Sequence, residues 1–412
     1  MPARRLPAQP DLQQLKHQAK DLLRAFRGGE VSAVADFREY HPERVDAESA
    51  KLADAQLVLA RSYHASSWPR LVATCDLIGA IQRDDEDAIR AFGRNHPELA
   101  RDYAAAPDGG WGGAMTQAAN GGLQRIMSML RERGVRDVNS AMAQPELRPP
   151  LDTLRTLGRF GARFPHDVVG GAVESLAGAD FAFMVETGTG IEDEQGDWRS
   201  RVALTLETYA RKPEGKHQIL ETMAQRGVLL PDTPPMALHR GRIDLLELWL
   251  RRDPLLLVRT FTHQEIFPPA LGCHADESLA LVGASLGGAT LLHMAAEYEE
   301  LEIARWLLDA GMHVDVPASI DIDGFGGHTA LFNCVVTYNA RGRDERVVRL
   351  LLDRGANPNA RASVRKRLVF ASDASMHTYD DVTPLGWGQQ FHDRSYVSQS
   401  SLRAIAERGG AP

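Results

Sequence analysis

Three cysteines in 412 residues, Cys75, Cys273 and Cys334, are too few and too scattered for a disulfide framework or a zinc knuckle. Such usage suits a reducing compartment, and a cytoplasmic location is expected. Aromatic residues make up only 7% of the chain, and no apolar run approaches the roughly 18–20 residues of a membrane span. The first ten residues lack the apolar middle of a secretory signal. Positive charge is not in excess: Lys plus Arg total 47 against 55 Asp plus Glu, for a net charge of −8. A chain without a cationic field is not drawn to nucleic acid or anionic lipid, so neither nucleic acid nor membrane is expected as a partner. Spacings of the H-x3-H or H-E-x2-H kind are missing, and Ser285-Leu286-Gly287-Gly288 lacks the lysine and strand-to-helix setting of a phosphate loop. No metal and no cofactor is expected.

With 43% hydrophobic and 25% charged residues, the chain is ordinary globular material, yet too long for one compact core unless it is a repeat array. Leu12, Leu15, Ala19, Leu22, Leu23 and Phe26 fall at 3/4 spacing and end at Gly28-Gly29, which predicts an amphipathic helix with a glycine stop. A second helix through Val31, Val34 and Phe37 stops at His41-Pro42, and the phrase Phe-x3-His-Pro-Glu returns at Phe92 to Glu98. Further helices are expected over 51–63 and 68–78, the latter capped by Ser66-Ser67. His41 and His96 read as helix-end residues, and His239 as a solvated turn residue.

The most regular stretch is Gly288 to Val316, GATLLHMAAEYEELEIARWLLDAGMHVDV. A turn ends in Thr290, a short helix follows, and Leu301, Ile303, Ala304, Leu307 and Leu308 build a second helix stopped by Gly311. This unit resembles the ankyrin repeat, G-x-T-P-L-H-x-A-A followed by a polar turn and L-E-I-V-x-L-L-L, with Leu291 standing for proline and Glu299 for the turn glycine. In that family Thr290 and His293 would pin the turn by hydrogen bonds. A recognisable copy follows Gln117, weaker ones follow Val168 and Arg201, and clearer ones open at Thr233, Thr329 and Thr383. The resemblance implies an all-α ankyrin-repeat solenoid of degenerate, bacterial-type repeats. Residues 1–80 would be an N-terminal helical cap, and 81–412 an array of about seven to eight units.

The openings are unevenly spaced: 57 residues separate Thr233 from Thr290, 39 separate Thr290 from Thr329, and 54 separate Thr329 from Thr383. The excess lies near 256–287, 316–327 and 361–381, where the family has finger hairpins, so three enlarged fingers are expected side by side. Their apolar content, Phe261, Ile266, Phe267, Phe325 and Leu368 among others, predicts packed fingers. As the family implies, the leading expectation is a non-catalytic scaffold binding a protein partner, with His263, Glu265, Phe267, Phe325, Arg365, Arg367, Phe370 and Tyr379 as contact residues. The run Arg365-Lys366-Arg367 would clamp an anionic group. The alternative is a pocket over the C-terminal repeats holding a small molecule. It would either sequester that ligand or use His274, Asp323, His328 and His377 for acid/base proton transfer or cyclisation. Cys273 beside His274 offers a weak nucleophile–base pair.

Overall fold

The computed structural model describes residues 10–95, 114–132, 151–338, 340–369 and 372–412, and the backbone forms two compact units, Met1–Val168 and Val169–Pro412. In the first unit the helix Leu12–Arg27 starts on the Asp11 carboxylate, which accepts from the Gln13 amide at 2.7 Å, and ends at Gly28-Gly29 with Gly29 at φ +73°. Its apolar stripe of Leu15, Ala19, Leu22 and Phe26 is buried, and Phe26 stacks on Phe37 of the next helix, Val31–Tyr40, with centroids 3.7 Å apart. His41 follows that helix and accepts from the Glu43 amide at 3.1 Å, as a helix-end residue should. The helices expected over 51–63 and 68–78 are Leu52–Ser62 and Trp68–Gln82, the second capped by the Ser67 hydroxyl on the Arg70 amide. His96 lies outside the described residues, as do Gly134, Val138 and Asn139, the turn residues of the repeat expected after Gln117.

The second unit runs as successive helices: Gly178–Glu186, which packs on Pro213–Gln225, then Arg199–Glu207 before Pro213–Gln225, Pro234–His239 before Ile243–Arg252, Leu291–Glu297 before Leu301–Asp309, Ala330–Asn333 before Arg346–Asp353, and Pro384–Gln390 before Gln399–Glu407. Threonine opens the regular pairs. The hydroxyls of Thr233, Thr290 and Thr383 accept from the amides of Met236, Leu292 and Gly386 at 3.4, 3.3 and 3.0 Å, meeting donors that a helix start leaves unpaired. Glu299 takes φ +61°, the left-handed conformation for which the repeat pattern prefers glycine. Gly178 is needed for another reason: a Cβ there would lie 2.7 Å from the Gly215 carbonyl, so the two helices approach through glycine.

His239 is fully buried, where a solvated residue was expected. It comes six positions after Thr233, as the equally buried Ala296 does after Thr290, on a buried face of its helix. That face here lies under the first finger. The ring meets the Ile266 carbonyl at 3.2 Å through Nε2 and packs edge-on to Tyr298 at 5.1 Å, and burial holds the imidazole well below its usual range.

The fingers carry regular structure. The first holds the one-turn helix His263–Ile266, boxed by Thr262 and Glu265, and two short 3-10 turns. The third is an antiparallel hairpin, β1 (Ala362–Lys366) with β2 (His377–Val382), the one two-stranded sheet among the described residues. Lateral backbone bonds join all three: the Ser319 amide donates to Gly288 at 2.8 Å, and the Gly326 amide donates to Ser363 of β1 at 2.7 Å. No helix among the described residues is long and apolar enough to cross a membrane.

Candidate functional site

Side-by-side fingers enclose a cleft of about 470 Å³. Its walls come from Asp276, Glu277, Ser278 and Ser285 of the first finger, Ser319, Ile320, Asp321 and Phe325 of the second, and Val364 to Arg367 with Met376 of the third. Alternation along β1 decides which side chains reach where. Ala362, Val364 and Lys366 are buried, while Ser363 and Arg365 point outward, as a pleated strand dictates. Both registers of this strand bring cations to the cleft.

Each cation meets a carboxylate from a different finger. Arg365 spans Asp321 at 2.8 Å and Asp323 at 2.9 Å and lies over the Phe325 ring, 4.9 Å from its centroid. Arg367 holds Asp276 at 2.6 Å. Lys366, its side chain 5% exposed, stands 3.6 Å from Glu277. Asp321 is also braced by the Phe325 and Asp323 amides, both at 2.9 Å, which with Arg365 keep its carboxyl below the usual range; Ser278 does the same for Asp276 ahead of Arg367. The basic run is therefore neutralised within the molecule. Arg365 and Arg367 remain partly exposed, and ion pairs of that kind contribute about 0–1 kcal/mol each, so they can exchange partners.

The histidines divide sharply. His293 pins its turn as expected: Nδ1 accepts from the Thr290 amide at 3.3 Å and meets its hydroxyl at 2.9 Å, and Nε2 donates to the His328 carbonyl at 2.9 Å. His328 lines the cleft, buried, with Nε2 donating to the Ser285 carbonyl at 3.0 Å and no partner for Nδ1. Burial pushes it down to about 4, and His293 to about 3. His274 sits apart, its Nδ1 2.8 Å from Glu207 of the helix Arg199–Glu207, and His263 donates through Nε2 to the His274 carbonyl at 2.8 Å. His377 meets Asp373 at 2.9 Å and stacks on His392 at 3.9 Å. Ser375 and Asp373 both approach the same His377 nitrogen, Nε2, so they are not the two ends of a nucleophile–base–orienter relay. The Cys273 thiol is buried and pushed up to about 12 by burial and the Glu207 charge, while its neighbour His274 faces Glu207.

Of the sequence-derived candidates, the structure gathers Phe325, Arg365, Arg367 and His328 at the cleft, with Asp323 joined to it through Arg365. His274 and His377 are held elsewhere by carboxylates, and Glu265 caps its own short helix while pairing with Arg259 at 3.0 Å. Phe267 is fully buried and Tyr379 is nearly so, its hydroxyl 2.7 Å from His392, because a packed finger needs a core of its own. Phe370 lies outside the described residues. Sequence reasoning placed Lys366 in an anion clamp but did not single out Glu277, Ser285, Ile320 and Met376 as cleft residues. Only the period-two pattern Ala362-x-Val364-x-Lys366-x-Leu368 announced that a lysine would face inward.

Two neutral buried histidines give this region an acid sensitivity with a definite sign. Unfolded, each would titrate near 6.5; folded, they resist protonation until about 4 and about 3. Stability is thus complete above pH 6.5 and is lost as the pH falls through that window, at up to about 1.4 kcal/mol per pH unit for each group. The His328→Gln variant keeps a donor for Ser285 and should flatten the decline by one proton in urea melts between pH 6.5 and 4. An unchanged slope would show that His328 is already charged in the folded protein.

Residues 259–362 match the family model for ankyrin repeats (3 copies). Among solved structures, the human ASB11 ankyrin repeat domain is similar at 17% identity, over 72% of this chain and 98% of that one, with a TM-score of 0.23. No curated protein matches the chain. Over residues 259–362 the chain is thus similar to the ankyrin-repeat family.

Proposed function

We propose that this chain is a scaffold that holds a partner protein against its three-finger face. Ankyrin repeats are in general protein–protein interaction modules. The observation that carries the reading here is apolar surface at the mouth of a charged cleft: Ile320 and Met376 line it and are exposed, and Ile322 on the same second finger is fully exposed. Large apolar side chains left in water around a recess, beside arginines able to exchange partners, are the composition of a protein contact. In this reading residues 1–80 cap the array, 81–412 form it, and the three unpaired, buried thiols accord with the cytoplasm. A proton-transfer reading gains nothing from His328, whose Nε2–H is committed to Ser285.

Photo-crosslinking residues placed in cells at Ile322 and at Met376 should trap one and the same protein, whereas a control at exposed Leu229, outside the fingers, should not. If both finger positions trap no more than the control, the scaffold reading fails.

A further inference from the structure

The cleft is balanced in charge but not in hydrogen bonds. Asp276, Glu277 and Asp321 face Arg365, Lys366 and Arg367, three against three. The carboxylates are largely satisfied: Asp276 by the Ser278 amide at 3.0 Å and hydroxyl at 2.6 Å and by Arg367, Asp321 by two amides and Arg365, and one oxygen of Glu277 by the Ser285 hydroxyl at 2.6 Å. Lys366 is the exception. At 3.6 Å its approach to Glu277 Oε1 is a Coulombic pair and too long for a hydrogen bond, and no other described residue receives its three N–H donors. The side chain is 95% enclosed, because β1 turns it inward with Val364, and it ends on the cleft floor.

Resting on the scaffold reading, we propose that this floor is a receptor for one carboxylate of the partner polypeptide, which takes the place of Glu277 as the direct partner of Lys366. A largely enclosed lysine whose ammonium opens into the cleft, with no hydrogen bond to a described residue, offers donors to an acceptor that enters. A carboxylate supplies up to four acceptor sites. Its hydrogen bonds to Lys366 form out of bulk water, where charge-assisted bonds are shorter and stronger than neutral ones. Arg365, on the outward register of β1, and Arg367, just past its end, flank Lys366 one residue to either side and guide the carboxylate in by exchanging their exposed aspartates for it. Ile320 and Met376 pack against the apolar neighbours of the acidic residue. Glu277, placed beside the site and tied to Ser285, opposes the incoming charge; it keeps Lys366 neutralised when the cleft is empty and weakens whatever binds.

That geometry gives two substitutions opposite signs. The full chain is used to select binders from two displayed libraries of random twelve-residue peptides, one blocked at both ends and one with a free C-terminus. Selected peptides are then titrated against Lys366→Met, Glu277→Gln and the double variant Glu277→Gln/Lys366→Met. The expected peptides share an Asp or Glu at one position, or a free terminal carboxylate, and the two libraries tell these sources apart. Lys366→Met should weaken them about tenfold or more, and Glu277→Gln should strengthen them several-fold, a reversal that general damage to the fold cannot produce. The double variant, which leaves neither charge alone in the cleft, should fold like the parent and bind as weakly as Lys366→Met. Peptides without a shared carboxylate, peptides bound equally well by Lys366→Met, or an absence of any selected peptide would overturn the inference. The scaffold reading would still stand or fall by the crosslinks at Ile322 and Met376.

Discussion

Replacing Arg211 by methionine should lower the unfolding free energy of the second unit by about 3–5 kcal/mol, the usual result of leaving one buried charge without its partner. Arg211 and Glu297 are both wholly enclosed. The guanidinium donates to Glu297 Oε1 at 2.7 Å, to the Glu297 carbonyl at 3.1 Å and to the Thr208 carbonyl at 2.9 Å, and it lies over the Tyr298 ring at 5.0 Å. A second buried pair is adjacent: Lys216 reaches Glu300 at 3.2 Å and sits 3.8 Å from the Tyr298 centroid, its ammonium held below the usual range by burial against the pull of Glu300. Paired charges in a core add little net stability, so Arg211→Met/Glu297→Leu should recover most of the loss or exceed the parent. A chemical denaturation cycle over the two single variants and the double measures this coupling. A single-variant cost under about 1 kcal/mol would mean that water reaches the pair and screens it.

Phe267→Ala should be nearly as damaging, at about 3–5 kcal/mol, through the lost burial of a full aromatic ring and the cavity left under the first finger. Phe267 is completely enclosed, 5.0 Å from the His263 ring and 6.1 Å from that of His239. Its sequence role as a partner contact predicted the opposite pattern, loss of binding with stability intact. Urea midpoints and the Ile322 crosslink, measured on the same variant, separate the two. A protein that melts like the parent but no longer crosslinks would restore the contact role.

The architecture was legible because each part of a repeat has one mechanical task that few residue types perform. Thr290 and His293 announce a pinned turn and Gly311 a helix stop, and all do what their types imply, Gly311 at φ +100°, while Ala295 and Ala296 between them are fully buried. Leu291 and Glu299 depart from the pattern without changing the outcome, the glutamate accepting a left-handed backbone that glycine adopts more easily. The fingers were legible as extra length with apolar content, and their adjacency followed from the repeat order. The inside of each finger was not. Whether Phe267 faces a partner or a core depends on where the chain folds back, and no short-range pattern in 256–287 fixes that. The inward position of Lys366 is hidden for a related reason: a run of three basic residues reads as an anion clamp without distinction until a strand assigns its middle member to the inner face. The network around Arg211, Lys216, Glu297 and Glu300 joins residues about 85 positions apart, and only the stacking of one repeat on another brings them together.

The lateral bonds from Ser319 to Gly288 and from Gly326 to Ser363, with the ion pairs that cross from finger to finger, also bear on how such a chain can diversify. Helix pairs in a repeat array are interchangeable in principle, since each contacts only its neighbours. These three are not. Exchange of the unit that opens at Thr290 for a plain repeat would remove Asp321 and Asp323 from Arg365 and the middle wall from the cleft, while leaving every helix contact in place. The heritable and transplantable element is therefore the trio of fingers, not the single repeat.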